Sequence, residues 1–555
     1  MIKTDLEKWL KENKIEGKIE HPAVEKFGDF AIRGEIEITE NKELIEKIER
    51  VAGFTNIFIN RDRLIKEAEN ILNNKYTEEL KIFNEGKRIM IEFADPNTHK
   101  ELHIGHMRTL ISGEALARLF EATGATAFRA NYQGDIGPHV AKAIWGVQKM
   151  LKQDNQTLAD WETKTNSEKA HFLGKAYVLG CSDYEADNKA EIDEINQKLY
   201  KKDASVMDIL KITRSWSLNY YNDFYARFYT KFDKLFFESE ITESGKKVVE
   251  DNIGKIFEKG DEGAIIFDGE KYGLHKRVFI TGARTLTYEG KEMGLAYAQK
   301  TQFEYDKNIH VVGNEQSGYF KVVFKAMELL DPWFEGRQYH LPMGMVAFAD
   351  RKMSSRTGDI VTVDSILDET TNAILPLLKN DDVDKKKAAE VITVGAIKFS
   401  VLKSDPTQNS IFDVKKSVDL NGNSGPYLQY TYARCQSVLN KTNYKSSEQT
   451  LPASGHLPLT GQANNGFIDI EDEEMALLRE FYKFEEKIVE ATKRYNPAIL
   501  AEYLLNLARK YNEFYGKCRI IEEPEEERRV FLTQVTAKIL KDGLDILGIK
   551  TVEKM

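Results

Sequence analysis

The period of the hydrophobic positions changes several times along the chain. In "MIKTDLEKWLKENKIEG" (1–17) apolar and charged residues recur at helical spacing, which predicts a charged amphipathic helix rather than a signal peptide. "KFGDFAIRGEIEI" (26–38) is strand-like and punctuated by turns. "NKELIEKIERVAGF" (41–54) sets Leu44, Ile45 and Ile48 on one helical face, and "FTNIFIN" (54–60) alternates like a half-buried strand. Residues 1–85 therefore read as a small α+β domain. "RIMIEF" (88–93) is an apolar run suited to a buried parallel strand. A loop with Pro96 and Asn97 follows, then a helical stretch to about Ala122, a stop at Gly124, and the strand "ATAFRANY" (125–132). Strand, loop, helix, strand is a βαβ unit, and it predicts an α/β class with a Rossmann-like doubly wound parallel sheet over 86–424. Later strands are expected at "GAIIF" (263–267), "RVFI" (277–280) and "NIHVVG" (308–313), with a helical insertion at about 147–235.

From about residue 425 the pattern turns helical, which predicts an all-α bundle over 425–555. In "YNPAILAEYLLNLARKYNEFYGKCR" Asn496 can cap a helix with Pro497 at its first position, and Leu500, Tyr503, Leu504, Leu507, Ala508 and Tyr511 then form one face. A second helix is expected from about Glu525 to Leu547, stopped by Gly548, and residues 451–466 read as a loop between helices.

Composition narrows the class. The chain has 555 residues, 41% hydrophobic and 30% charged, enough for two to four domains with a sizeable core. No apolar run reaches the ~18–20 residues of a membrane span. Cys181, Cys435 and Cys518 are few and far apart, so neither a disulfide framework nor a zinc pocket is expected, and the compartment reads as a reducing cytoplasm. A net charge of −10 argues against a uniformly basic nucleic-acid coat, but local basic stripes are what contact phosphates.

The candidate chemistry lies in "ADPNTHKELHIGHMRTL" (94–110), where His103 and His106 flank Ile104-Gly105 at a predicted helix start. A helix N-terminus has unpaired N–H groups and partial positive charge and so attracts anions; two imidazoles add directed donors. Gly105 leaves room for a base or ribose near the backbone, and Lys100 adds a mobile cation. Alone, a His-x-Gly-His is most often structural. A second element, "DRKMSSRTGDIVTV" (350–363), presents Lys352, Met353, Ser354, Ser355 and Arg356 in a basic hydroxyl-rich loop of the kind that binds phosphate oxygens. By itself it is as often a solvated surface loop; the two together, in this order in a doubly wound chain, are far less ordinary.

"HIGH" with "KMSS" resembles the paired motifs of the class I aminoacyl-tRNA synthetases. "PNTHKELHIGHMRT", "NYQGDIG" (131–137), "NGNSGPYLQYTYAR" (421–434), the closing "GLDILGIKTVEKM" (543–555), "FGDFA" (27–31) and "AGFTNIFI" (52–59) are similar to the arginyl branch, in its order and over nearly the whole chain. The resemblance implies ATP-dependent activation of L-arginine to arginyl-adenylate and transfer to the 3′ end of tRNA(Arg), with Mg²⁺ carried by ATP. It implies catalytic roles for His103, His106, Lys100 and Lys352, and ATP contacts by Gly105, Met353, Ser354, Ser355 and Arg356. The general class pattern has a second lysine where this chain has Ser355; Lys100 is the expected substitute and Arg356 the alternative. Asn97 and Gln316 are implied for the α-amino end of the substrate, and Glu238, Tyr288 and Glu292 for the guanidinium. The family usually has Asp at the position of Glu292, and a His where this chain has Tyr319.

For tRNA, Arg509, Lys510, Lys517 and Arg519 lie along one helical stretch with Tyr515 and Tyr511 between them, although Tyr511 also fits the bundle core. Phe27 and Phe30 either stack on a tRNA loop base or fill the small domain's core. The expected protein is a monomer with no membrane contact. Three other readings fit parts of the pattern. A small-molecule nucleotidyltransferase shares the histidine motif but is usually shorter and lacks a helical C-terminal bundle. An inactive tRNA-binding paralogue is disfavoured by the intact His103, His106 and Lys352. A cysteinyl-type sister enzyme would need a cysteine zinc pocket.

Overall fold

The structure, a computed structural model, describes residues 1–37, 41–185, 188–350, 361–378, 384–442 and 470–555. The KMSS stretch, with Lys352, Met353, Ser354, Ser355 and Arg356, and the 451–466 loop lie outside the described residues.

Five parallel strands form the central sheet, side by side in the order Gln338–Met343, Lys307–Gly313, Arg88–Phe93, Thr126–Gln133 and Lys234–Phe237. The order reverses at Arg88–Phe93, so the crevice beyond its carboxyl end is where a doubly wound sheet offers a ligand site. The helix leaving that strand, Ile104–Ala122, is buried nearly all round. It packs tightly on the sheet at Gly113, where a Cβ would stand 2.2 Å from Phe93 Cγ. Gly124 ends the turn after the helix at φ +97°, as its position predicts.

"NIHVVG" joins this sheet, but "GAIIF" and "RVFI" do not. Ile265–Phe267 is the middle strand of a separate three-stranded sheet, pairing antiparallel with Arg277–Ile280 on one side and Phe257–Lys259 on the other. The short link between them holds only a 3-10 turn, Gly269–Tyr272. A parallel return needs a crossover of a dozen or more residues.

The insertion begins within the helix Pro138–Gln153, continues through Asn166–Glu185, Lys189–Tyr200 and Ala204–Arg227, and re-enters the sheet at Lys234.

In the N-terminal unit the segment read as a helix at 41–54 is a strand, Ile45–Val51, paired antiparallel with Phe54–Ile59. The register shifts between Ile45 and Lys47, so Ile45 faces Ile59 and Ile48 faces Ile57. That bulge brings two residues three apart to the same side of a strand and imitates helical spacing. Ala52 and Gly53, at φ +53° and +79°, close the hairpin.

The C-terminal bundle comprises Gly425–Lys441, Asp472–Phe481, Lys483–Lys493, Ala498–Lys517 and Glu526–Ile546. Asn496 caps as expected, its Oδ1 accepting from Ala498 N at 3.0 Å. Glu474 is fully buried and is held by Arg529 Nε at 2.9 Å and Arg528 Nη2 at 3.0 Å. The bundle grips the rest of the chain through Lys398 of the helix Lys385–Leu402, whose ammonium donates to Gly548 O at 2.6 Å.

Burial pushes Lys398 down to about 7. An unfolded lysine titrates near ~10.4, so between those values the unfolded chain holds a proton that the folded chain has shed. The contribution of Lys398 to stability should therefore rise between pH 7 and pH 10 by up to about 1.4 kcal/mol per unit, and be constant below. Thermal midpoints of wild type and Lys398→Met, compared from pH 6 to 9, should diverge in favour of wild type above pH 7; parallel curves would show that another group titrates.

Candidate active site

The loop from Ala94 to His103 carries three residues in the left-handed region, Ala94 (φ +74°), Asp95 (+41°) and His99 (+65°). Such conformations cost energy in residues other than glycine and persist only when the surroundings hold them. Asp95 Oδ1 accepts from Tyr132 N at 2.8 Å, and Thr98 N donates to Gly134 O at 2.9 Å. His99 is fully buried between the hydroxyls of Thr98 (2.9 Å) and Thr213 (2.8 Å), and its amide donates to Ser217 Oγ at 2.9 Å. The Tyr221 hydroxyl lies 2.8 Å from both Asn97 O and Lys100 O and shares its proton between them. Thr213, Ser217 and Tyr221 are spaced i, i+4, i+8 on the insertion helix Ala204–Arg227, so one polar stripe braces the whole loop. Sequence reasoning missed these residues, although the stripe is visible in the helix.

His103 is the N-cap of Ile104–Ala122. Its Nδ1 accepts from Gly105 N at 3.1 Å, and His106 Nδ1 accepts from His103 N at 3.3 Å. The rings stack at 3.9 Å between centroids. An Nδ1 that accepts carries no proton, so each imidazole is the neutral tautomer with its hydrogen on Nε2. Burial supports this by holding His103 down to about 4 and His106 well below its ordinary value. The pair thus caps the helix with one edge and keeps an N–H donor on the other. Gly105 is required for that geometry: a Cβ would stand 2.9 Å from His103 Cε1.

Lys100 is close enough to lower the pKa of both histidines, and its Nζ lies 4.5 Å over the Tyr177 ring. Asn97 rests against Gly134, where a Cβ would come within 2.1 Å of Asn97 Oδ1. The two ends of the 351–360 segment are fixed to the same helix. Beyond it, Thr362 bridges His103 and Val363 N donates to Leu102 O at 3.0 Å. Before it, Val346–Phe348 pairs with Ser410–Phe412, and the buried Arg108 guanidinium ties this ribbon to the helix through Met345 O and Ser410 Oγ, both at 3.0 Å.

A second set of groups gathers on the neighbouring strands. Glu238 opens the helix Glu238–Asp251 directly after the strand Lys234–Phe237 and is 3% exposed. Lys291 Nζ lies 2.5 Å from its Oε2. Tyr288 and Glu292 lie on the helix Tyr288–Gln302, Tyr288 exposed and Glu292 buried. Burial raises Glu292, and the neighbouring Glu92 adds to the shift; Tyr319 hydrogen-bonds its carboxyl, while its Oε2 has no partner among the described residues. Glu92 is itself held by His310 Nδ1 at 2.9 Å. That contact overcomes burial and lifts His310 to about 9. Gln316 stands on the exposed 3-10 turn Asn314–Gln316, immediately beyond the strand Lys307–Gly313. The structure thus brings Glu238, Tyr288 and Glu292 into electrostatic contact. Lys291, whose partnership with Glu238 no spacing rule announces, is an addition to the sequence reading.

The aromatic and basic residues offered for tRNA divide. Phe27 is 37% exposed, but Phe30 is fully buried, 4.7 Å from the His21 ring and 5.8 Å from Tyr482, and has no face left for a base. Its loop instead docks the N-terminal unit on the bundle, where His21 Nε2 meets Glu486 Oε2 at 2.9 Å. Tyr511 is core. Lys510 Nζ lies 2.7 Å from the buried Glu480, and Lys517 pairs with Glu473. Arg509 is exposed. Tyr515 is 43% exposed and faces Arg434 at 5.0 Å; Arg434 in turn lies 4.8 Å from Tyr430. Tyr430, Arg434 and Tyr515 line one groove with the C-terminal Met555.

Among the described residues, no group of three or more His, Cys, Asp or Glu could hold a metal ion, and no helix is long and apolar enough to cross a membrane.

Residues 67–414 match the family described as tRNA synthetases class I (R), catalytic domain, and residues 428–555 match the DALR anticodon binding domain. The first match spans well over half of the chain, and the chain therefore belongs to the class I tRNA synthetase (R) family. It is similar to the arginine–tRNA ligase of Parabacteroides distasonis, 30% identical over 561 residues that cover 96% of this chain and 90% of that one. It is also similar to the arginine–tRNA ligase of Borreliella afzelii, 30% identical over 99% of this chain and 96% of that one. The fold matches that of Thermus thermophilus arginyl-tRNA synthetase with a TM-score of 0.80 at 23% identity, covering 100% of both chains.

The neutral tautomers imply a simple pH behaviour. kcat/KM for ATP reports groups of the free enzyme. It should show no acid limb near pH 6.5 from His103 or His106, whose hydrogen-bonding form is already complete there. A limb at pH 6–7 that vanishes in His103→Asn or His106→Asn would overturn the assignment.

Proposed function

We propose that this chain is an arginine–tRNA ligase, activating L-arginine with ATP and transferring it to the 3′ end of tRNA(Arg). The observation that carries this reading is that one doubly wound domain holds two Nε2–H donors at a helix N-terminus and, in a second cluster, the two buried acidic groups Glu238 and Glu292. Adenylation gathers negative charge on the α-phosphate as the arginine carboxylate attacks and pyrophosphate leaves. Donors fixed beforehand, aimed where that charge develops, are what lower such a barrier. A guanidinium, planar and always charged, is the substrate group that two carboxylates in a shielded pocket select.

In this reading His103, His106, Lys100 and Lys352 act on the phosphates, with Gly105, Met353, Ser354, Ser355 and Arg356 around the nucleotide. Asn97 and Gln316 hold the α-amino end, and Glu238, Tyr288 and Glu292 take the guanidinium. Residues 1–85, 86–424 and 425–555 serve as tRNA-binding, catalytic and anticodon-binding units. Exposed Phe27, Arg509, Tyr515 and Lys517 remain candidates for tRNA contact; Arg434, between two tyrosines, joins them. Lys510 contributes through its hold on Glu480. Magnesium, which is usually held by substrate phosphates and water, travels with ATP, and zinc has no part. The enzyme is read as monomeric and cytoplasmic.

ATP–pyrophosphate exchange and tRNA charging against all twenty amino acids test the reading. Arginine alone should support charging, and exchange should require tRNA; equal charging with lysine would sink the carboxylate fork.

Replacing Lys100 with Ala should slow adenylation by ~10²-fold or more while leaving KM for ATP little changed. Ser355 leaves the general motif one cation short, and Lys100 is beside both histidines. Near-normal kcat in Lys100→Ala, with loss in Arg356→Ala, would transfer the role to Arg356.

A further inference from the structure

Tyr132, in the "NYQGDIG" stretch, is given no role by the reading above. It lies at the carboxyl end of the strand Thr126–Gln133, where it pairs in register with Phe236, two residues before Glu238. Its amide is anchored on Asp95 Oδ1 at 2.8 Å, which fixes the strand end against the strained loop. Its hydroxyl oxygen is shielded from solvent and has no hydrogen-bond partner among the described residues. Glu238, Glu292, Glu92 and Tyr288 all act electrostatically on that hydroxyl, so it stands among the groups assigned to the guanidinium. Glu292 Oε2, likewise buried and unpartnered, belongs to the same cluster. Buried polar atoms are nearly always satisfied, and two orphans in one cluster mark the place of a ligand's donors.

We propose that the Tyr132 hydroxyl is a specificity-determining contact for arginine, its oxygen accepting one guanidinium N–H. This rests on the arginine reading of the pocket. Charge balance favours a neutral acceptor there. Glu238 and Glu292 already match Lys291 and one guanidinium, and a third carboxylate engaging the substrate would be a buried charge without a counter-ion. The five N–H groups of a guanidinium nonetheless need more acceptors than the free oxygens of two carboxylates, one of which is occupied by Lys291. A phenol meets both demands, because it accepts without adding charge.

The test is Tyr132→Phe, which removes only an oxygen that has no hydrogen-bond partner among the described residues. KM for arginine should rise roughly 10- to 100-fold, the cost of leaving a buried donor unpaired, with KM for ATP and the thermal midpoint unchanged. A chemical cycle isolates the contact: the preference for arginine over ω-N-methylarginine should shrink in Tyr132→Phe, because the variant no longer reads that N–H. An unchanged KM for arginine, an equal loss toward ATP, or the same preference in both enzymes would overturn the proposal. If the wild type fails to activate arginine at all, the failure lies in the reading of the pocket and not in Tyr132.

Discussion

The site is built on the N-terminus of one helix, Ile104–Ala122, and on the requirement that its first N–H groups be satisfied without losing their pull on an anion. Ser or Asp at the cap would satisfy the backbone and offer nothing outward. Imidazole does both, because Nδ1 accepts inward while Nε2–H is kept as a donor on the opposite edge of the ring. The arrangement demands a glycine at 105, a particular approach of the chain to the helix, and enough burial to keep both rings neutral. Much of the catalytic unit follows from that demand. Three left-handed residues shape the approach, the insertion helix supplies the hydroxyl stripe that stabilises them, and Arg108 ties the ribbon before the 351–360 segment to the same helix.

Beside this neutral site lies a charged one. Glu238 does not stand unpaired; the Lys291 ammonium is already against it. Glu292 has no such partner among the described residues, and its pKa is raised by burial and by Glu92, whose own charge is taken up by His310. The carboxylates of this cluster are therefore balanced differently at each member. Glu in place of the family's usual Asp at 292 belongs to this set, where Tyr319 reaches it.

The two outer units close on each other through a few long-range polar contacts. Tyr76 donates to Asp542 at 2.5 Å, His21 meets Glu486, and Arg479 lies 3.5 Å from the buried Asp29. The first and last parts of the chain are thus joined directly. In "FGDFA", a stretch similar in sequence to arginyl-tRNA synthetases, Asp29 and Phe30 are accordingly taken up by inter-unit contacts while Phe27 stays exposed.

Much of this protein was legible in its sequence because the signals are local. An apolar run, a proline-bearing loop, a periodic helix and a terminating glycine are each decided within a few residues, so the βαβ unit, the bundle helices and the histidine pair could be read directly. Local signals failed where pairing decides the outcome. The bulge in Ile45–Val51 imitates a helix until its partner strand is known, and the strands at 265–267 and 277–280 looked like members of the parallel sheet until their short connection forced them antiparallel. Of the edge strands, Lys234–Phe237 is too short and Gln338–Met343 too mixed in polarity to announce itself. Burial and partnership were likewise settled only in three dimensions. Phe30 and Tyr511 became core, Lys510 became the partner of Glu480, and Lys291, Tyr132 and the Thr213–Ser217–Tyr221 stripe acquired their meaning from residues dozens to more than a hundred positions away. A sequence states which groups a chain owns, but the electrostatic state of a buried group depends on which others the fold brings within a few ångströms of it.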